Sequence, residues 1–300
     1  FHTKMNVIGS EILEAMHKSI DIAEKNYRGL VIGNDAANFS AGANIAMMLM
    51  LAIEQEYDEL DMAIRYFQNT IMRVRYSGIP VAVAPHGLTL GGGCEMTMHS
   101  DVAVAAAETY IGLVEVGAGL IPAGGGTKEL ALRASDKYFK GDIEIPTLQE
   151  MSLNIAMAKV ATSAREAFDL GILRKGIDIE VMNSNRVIAE AKNAVLELAN
   201  NGYTPPQQRS DIKVLGRSAL GSFYTGIASM RMGNYISAHD EMIAKKVCYV
   251  ICGGDLSAPT EVNEQYLLDL EREAFLSLLG EKKTLERMQF ILKTGKPLRN

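Results

Sequence analysis

Three cysteines, Cys94, Cys248 and Cys252, are spread over 300 residues. A set that is both sparse and odd excludes a disulfide framework and fits a reducing cytosol. No second Cys/His pair follows Cys248 and Cys252 at a zinc-site spacing, so they read as packing residues and no metal is expected. Long apolar runs are also missing. The densest one, residues 45–53, stops at Glu54. It is too short to span a bilayer and reads as a buried helix or a pocket wall. There is no initial Met, no signal-peptide pattern, no internal repeat and no low-complexity stretch. A start at Phe1 leads us to expect a fragment of a longer chain. Excess positive charge is absent too: the net charge of −6 argues against a general nucleic-acid binder, while leaving room for a local basic pocket that takes a phosphate-bearing ligand.

What is present is ordinary globular material, 48% hydrophobic and 22% charged. Residues 10–26 predict an amphipathic helix that Ser10 can cap, with Ile12, Leu13, Met16, Ile20 and Ala23 on one face. Residues 29–33 predict a short buried strand, and 59–77 a helix with Leu60, Ile64, Phe67, Ile71 and Val74 in register. Strands follow at 79–84 and 101–105, with a helix opening in the glycine run at 91–98. Further helices fall around 128–133, 163–170 and 185–200. This alternation predicts an α/β fold with parallel strands and right-handed crossovers. Residues 201–258, with Pro205-Pro206 and scattered glycines and aromatics, read as an insertion with short helices. Its Tyr203, Gly221, Phe223, Tyr224 and Gly226 suit a cover over an apolar ligand or a surface for a partner domain. Residues 261–293 are helical, with Leu267, Leu268, Leu270, Phe275, Leu278 and Leu279 on the apolar side, and the charge run at Glu281-Lys282-Lys283 reads as a solvated helix start.

Chemistry concentrates in two glutamates beside glycine-rich turns. Glu95 ends Gly91-Gly92-Gly93-Cys94-Glu95, and Glu115 lies in Val114-Glu115-Val116-Gly117. Paired carboxylates can hold a water and move its protons. Residues without bulk beside them let backbone N–H groups approach a ligand carbonyl, so the pattern suggests proton chemistry next to a stabilised oxyanion. A nucleotide site fits poorly. Neither Gly91-Gly92-Gly93 nor Gly124-Gly125-Gly126-Thr127-Lys128 has the order of a P-loop or the spaced glycines of a dinucleotide fingerprint. His86 and His99 lie near in sequence and read as structural, and the Met47-Met48-Leu49-Met50 stripe reads as core with a pocket role open.

The conjunction is more specific than its parts. Phe39-Ser40-Ala41-Gly42-Ala43-Asn44, then Ala84-Pro85-His86-Gly87 through Gly91-Gly92-Gly93-Cys94-Glu95, then Val114-Glu115 and Gly119-Leu120-Ile121-Pro122 closely resemble, in order and spacing, the crotonase (enoyl-CoA hydratase/isomerase) superfamily. The resemblance covers residues 1–200 and 261–293, with Ala161-Thr162-Ser163-Ala164-Arg165-Glu166-Ala167 resembling a later helix-and-turn signature. It implies a crotonase-like spiral of ββα/βαβ units with C-terminal helices. The implied division is a core over 1–200 lacking its first strands, an insertion over 201–258, and a closing helical segment over 259–300.

It also implies an activity: addition of water to trans-2-enoyl-CoA in fatty-acid β-oxidation. Glu95 and Glu115 would be the acid–base pair, the N–H groups of Ala43 and Gly92 the oxyanion hole, and Ala41, Ala43 and Ile45 the coenzyme A contact. Acyl-CoA would be substrate, and no cofactor is expected in this chain. The subgroup resembled is the hydratase module of a fusion with an N-terminal, NAD-dependent 3-hydroxyacyl-CoA dehydrogenase module. That implies a cytoplasmic, homo-oligomeric protein with no membrane span and no nucleic-acid partner. An enoyl-CoA isomerase and a non-catalytic acyl-CoA-binding scaffold are the alternatives. The sequence departs from the family pattern at Val114, where proline is usual, at Asn44, where aspartate is common, and in the longer spacing at Gly117-Ala118-Gly119.

Overall fold

A computed structural model describes residues 3–300. In chain order the helices are α1 (Ser10–Asn26), α2 (Ile45–Glu54), α3 (Tyr57–Arg75), α4 (Gly92–Met98), α5 (Gly126–Ser135), α6 (Glu144–Ala156), α7 (Ala164–Asp169), α8 (Val187–Asn200), α9 (Gly216–Met232), α10 (Ala238–Ile251), α11 (Glu264–Leu279) and α12 (Lys282–Thr294). The strands are β1 (Leu30–Ile32), β2 (Val81–Val83), β3 (Gly87–Leu90), β4 (Val102–Ala106), β5 (Thr109–Gly112), β6 (Val160–Ala161), β7 (Ile179–Val181), β8 (Ile212–Val214) and β9 (Thr260–Val262). The chain divides into two compact units. One comprises residues up to Asn44, Tyr66–Leu113 and Val160–Gln207; the other comprises Ile45–Arg65, Val114–Lys159 and Gln208–Asn300.

The first unit is a spiral. Its four-stranded sheet runs β1-β2-β4-β7 with every pair parallel, and a smaller sheet runs β3-β5-β6. Each turn lays one strand in each sheet: β2 is followed by β3, and β4 by β5, with β2 parallel to β4 and β3 parallel to β5. An isolated bridge from Ser40 to Thr89 extends the smaller sheet on the other side of β3. Strand β2 shows why the large sheet is stable. Val81 and Val83 pack with Leu13, Met16 and Ile20 of α1 and Phe67, Ile71 and Val74 of α3. Ala82 and Ala84 point the other way, against Val187, Ala191, Ala194 and Val195 of α8. Period-two alternation with helices on both faces is what makes such strands apolar throughout.

The second unit is mainly helical. Helix α10 packs against α5, α6, α9 and α11, with β8 and β9 paired antiparallel beside them. Ser237 starts α10 with a capping box: its hydroxyl accepts from Asp240 N, and the Asp240 carboxylate accepts from Ser237 N. Asn263 caps α11 by accepting from Tyr266 N at 2.8 Å.

Several expectations change. Ser10 does not cap α1; Gly9 holds that position without a side-chain bond, and Ser10 is already helical. Strands β3 and β5 and helix α6 were not foreseen. The segment expected to hold short helices forms α9, of 17 residues, and α10, of 14. Phe223 is a core residue and Tyr203 donates its hydroxyl to Asp101 at 3.0 Å. Helix α2 is not a buried helix: Leu49 and Ala52 are buried, but Met50 is 62% and Ile53 55% exposed. Among the described residues no helix is long and apolar enough to cross a membrane.

Candidate active site

Residues 38–43 lie alongside β3. Ser40 N donates to Leu88 O at 3.1 Å, Leu90 N donates to Ser40 O at 2.9 Å, and the Asn38 side-chain oxygen accepts from Leu88 N at 2.9 Å. On its other edge Ile8 N donates to Gly42 O at 2.8 Å. The Ser40 hydroxyl donates to Asn6 O at 2.7 Å and accepts from Gly42 N at 3.0 Å, which fixes the bend. Gly42 turns there with φ +92°, and a Cβ on it would lie 2.8 Å from Gly92 N and 2.9 Å from Leu90 O. No L side chain fits that space or that backbone.

β3 then runs directly into the glycine run. Gly91 N donates to Gly112 O at 2.9 Å, and α4 begins at Gly92. A Cβ on Gly92 would stand 3.4 Å from Ala43 N and 2.8 Å from the Phe67 ring. The structure therefore brings the amides of Ala43 and Gly92 together. Gly92 N–H, the first in α4, lies ahead of the helical ladder. Such an arrangement can meet negative charge developing on an oxygen.

Glu95 is one turn into α4 and 3% exposed, its N–H donating to Gly91 O at 2.9 Å. His99 Nδ1 bonds the Glu95 carbonyl at 2.7 Å, and His86 Nε2 bonds Ala36 O at 2.8 Å, so both imidazoles hold backbone, as expected. Ala41 and Ala43 are half-buried in the first unit, and half-buried Ile45 opens α2 in the second. Among the described residues no His/Cys/Asp/Glu cluster could hold a metal ion, and the three cysteines are buried thiols.

Glu115, half-buried, begins a 3-10 turn, Glu115–Ala118, in the second unit. Its carbonyl accepts from Leu120 N at 3.0 Å. The turn is held from α12. Thr284 Oγ1 donates to Gly119 O at 2.9 Å, and Arg287 Nη1 donates to Val116 O at 3.2 Å. His239 Nε2 lies 3.0 Å from Thr284 Oγ1. Because that hydroxyl's proton is committed to Gly119, the imidazole donates through Nε2. Burial, then the Arg287 and Lys283 cations, push the His239 pKa down to about 4.

The second glycine run proves to be internal structure. Glu271 of α11 accepts from Gly125 N at 3.0 Å and from Lys128 N, so a buried carboxylate occupies the start of α5. The Lys128 ammonium donates to Glu264 at 2.9 Å and Glu129 at 3.2 Å. Neither Glu271 nor the Thr284–Arg287 pair carries a local sequence signal; each acts on a turn more than a hundred residues away.

A spiral of ββα turns with close-set amides and a buried glutamate defines a class of α/β fold, and comparison with known proteins shows what the chain is similar to. The enoyl-CoA hydratase/isomerase family model matches residues 2–140. Over those residues, just under half of its length, the chain is similar to that family. A Bacillus subtilis protein named "Probable 3-hydroxyacyl-CoA dehydrogenase" is 45% identical over 300 residues, covering 100% of this chain and 37% of that protein. The chain thus spans little more than a third of that relative. A second Bacillus subtilis protein, "Probable enoyl-CoA hydratase", is 26% identical over 243 residues, 80% of this chain and 85% of that one. The crystal structure of an enoyl-CoA hydratase from Bacillus halodurans matches with a TM-score of 0.63 at 15% identity, covering 95% of this chain and 91% of the other, a likeness of fold.

Proposed function

We propose that this chain is an enoyl-CoA hydratase module that adds water to trans-2-enoyl-CoA to give 3-hydroxyacyl-CoA, within a cytoplasmic, homo-oligomeric protein of fatty-acid β-oxidation that also carries an NAD-dependent 3-hydroxyacyl-CoA dehydrogenase module. The observation that carries this is the approach of Gly92 to Ala43 N, which places two backbone donors together beside the helix of Glu95. Attack of water on the β-carbon builds enolate charge on the thioester oxygen. The Ala43 and Gly92 amides stabilise that charge, and being fixed by the fold they need no reorganisation when it develops. Glu95 and Glu115 are the acid–base pair: one carboxylate takes a proton from water and the other delivers a proton to the α-carbon. Ala41, Ala43 and Ile45 contact coenzyme A. Hydration moves no electrons to an acceptor, so this step needs no redox cofactor.

The test is loss of the conjugated double bond of crotonyl-CoA, followed by absorbance. Glu95→Gln and Glu115→Gln should each lower kcat by at least about a hundredfold. Near wild-type turnover in both variants would remove the assignment.

A further inference from the structure

The Glu115 turn is entered through Val114, whose φ of −111° is well away from the value near −65° that a proline would enforce. Its rigidity comes from elsewhere. Arg287 is 2% exposed, and its guanidinium donates to three oxygens: Val116 O at 3.2 Å, Asp240 Oδ1 at 2.8 Å and Asn300 Oδ1 at 2.9 Å. A buried cation is costly unless each donor is matched, and here one of the matches is a carbonyl of the Glu115 turn itself. Thr284, fully buried, holds the exit of the turn through Gly119 O. Gly119 has a φ of +86°, and a Cβ there would lie 2.9 Å from Thr284 Cα, so turn and helix are in contact through backbone. His239 holds the Thr284 hydroxyl in that direction, and the Ser237–Asp240 capping box holds the carboxylate that pairs with Arg287.

We infer that Thr284 and Arg287 are positioning residues for Glu115: α12 clamps both the turn and its exit, and so sets where the Glu115 carboxylate points. The inference rests on the reading of Glu115 as an acid–base group. A carboxylate on an unclamped turn remains present and ionisable but samples other directions, and misplacement by about 1 Å can cost about a hundredfold in rate. Losing the clamp should therefore lower kcat far more than it raises KM.

The experiment measures hydration of crotonyl-CoA by the full-length protein, with urea midpoints recorded alongside. Thr284→Val removes the hydroxyl and keeps the shape; Arg287→Lys keeps the charge and removes the fork that reaches Val116. Each should lower kcat about tenfold or more, with KM changed less than about twofold. Thr284→Ser should restore turnover. In a Glu115→Gln background neither substitution should lower the residual rate further, because a misdirected group that is already disabled has nothing left to lose. Should Thr284→Val fail to fold, Arg287→Lys answers alone. Unchanged kcat in a folded clamp variant, or full additivity with Glu115→Gln, overturns the inference. If Glu115→Gln itself turns over like the wild type, it is the hydratase reading of Glu115 that fails, a result distinguishable from failure of the clamp alone.

Discussion

Gly42→Ala tests whether the two amides are placed by steric necessity. The added methyl would sit 2.8 Å from Gly92 N and 2.9 Å from Leu90 O, both backbone atoms, with no flexible side chain to move aside. Positive φ for a residue with a Cβ costs about 1–2 kcal/mol. Relief of the overlap requires moving residues 40–43 away from β3, against the Ser40–Leu88 and Leu90–Ser40 hydrogen bonds at 3.1 and 2.9 Å, each worth about 1 kcal/mol net. A loss of about 3 kcal/mol is expected, read as a lower urea midpoint at unchanged slope. Since the same movement displaces the Ala43 amide, kcat for crotonyl-CoA should fall by about a hundredfold, the scale of one lost oxyanion donor. Gly221→Ala is the control. It lies on the exposed face of α9 with no atom within 4 Å of an added Cβ, so it should stabilise by about 0.5–1 kcal/mol and leave turnover alone. A Gly42→Ala protein with wild-type midpoint and wild-type kcat would show that this close approach is neither rigid nor used.

Two further outcomes follow from the second unit. Glu271→Ala leaves the Gly125 and Lys128 amides without their carboxylate in a fully buried place and should destabilise by about 3 kcal/mol in urea titration; a loss under about 1 kcal/mol would mean that water replaces it. His239 has a folded pKa depressed to about 4 from 6.5, so its stabilising contribution is full above the unfolded value and is lost as pH falls toward the folded one. Between about pH 7 and pH 5 the wild type should therefore lose about 2 kcal/mol that His239→Gln, which can still donate to Thr284, does not lose. Equal pH slopes for the two proteins would refute that account.

The sequence by itself determined the elements whose signal is local. The apolar spacing of α1 and α3 and the unbroken apolar strands β1, β2 and β4 were legible because a buried face repeats at the period of its own backbone. The apolar side of α11 was legible for the same reason, and every residue assigned to it is buried. The glycines around Ala43 and Gly92 were legible as a motif, through family order and spacing. Other elements gave no such signal. β3 and β5, with Gly and Thr among their residues, form because each is the other's partner and Ser40 bridges to β3 from the opposite side. α9 carries the glycines and aromatics of a loop-like composition, yet it becomes a helix packed against α10, which in turn packs against α5, α6 and α11. Tertiary structure alone decided that Glu271 fills the start of α5 and that Thr284 and Arg287 hold the Glu115 turn. Hydrogen bonds between residues so far apart leave no period and no spacing in the chain; they exist only once packing has brought a buried donor and a buried acceptor to the same place, away from water.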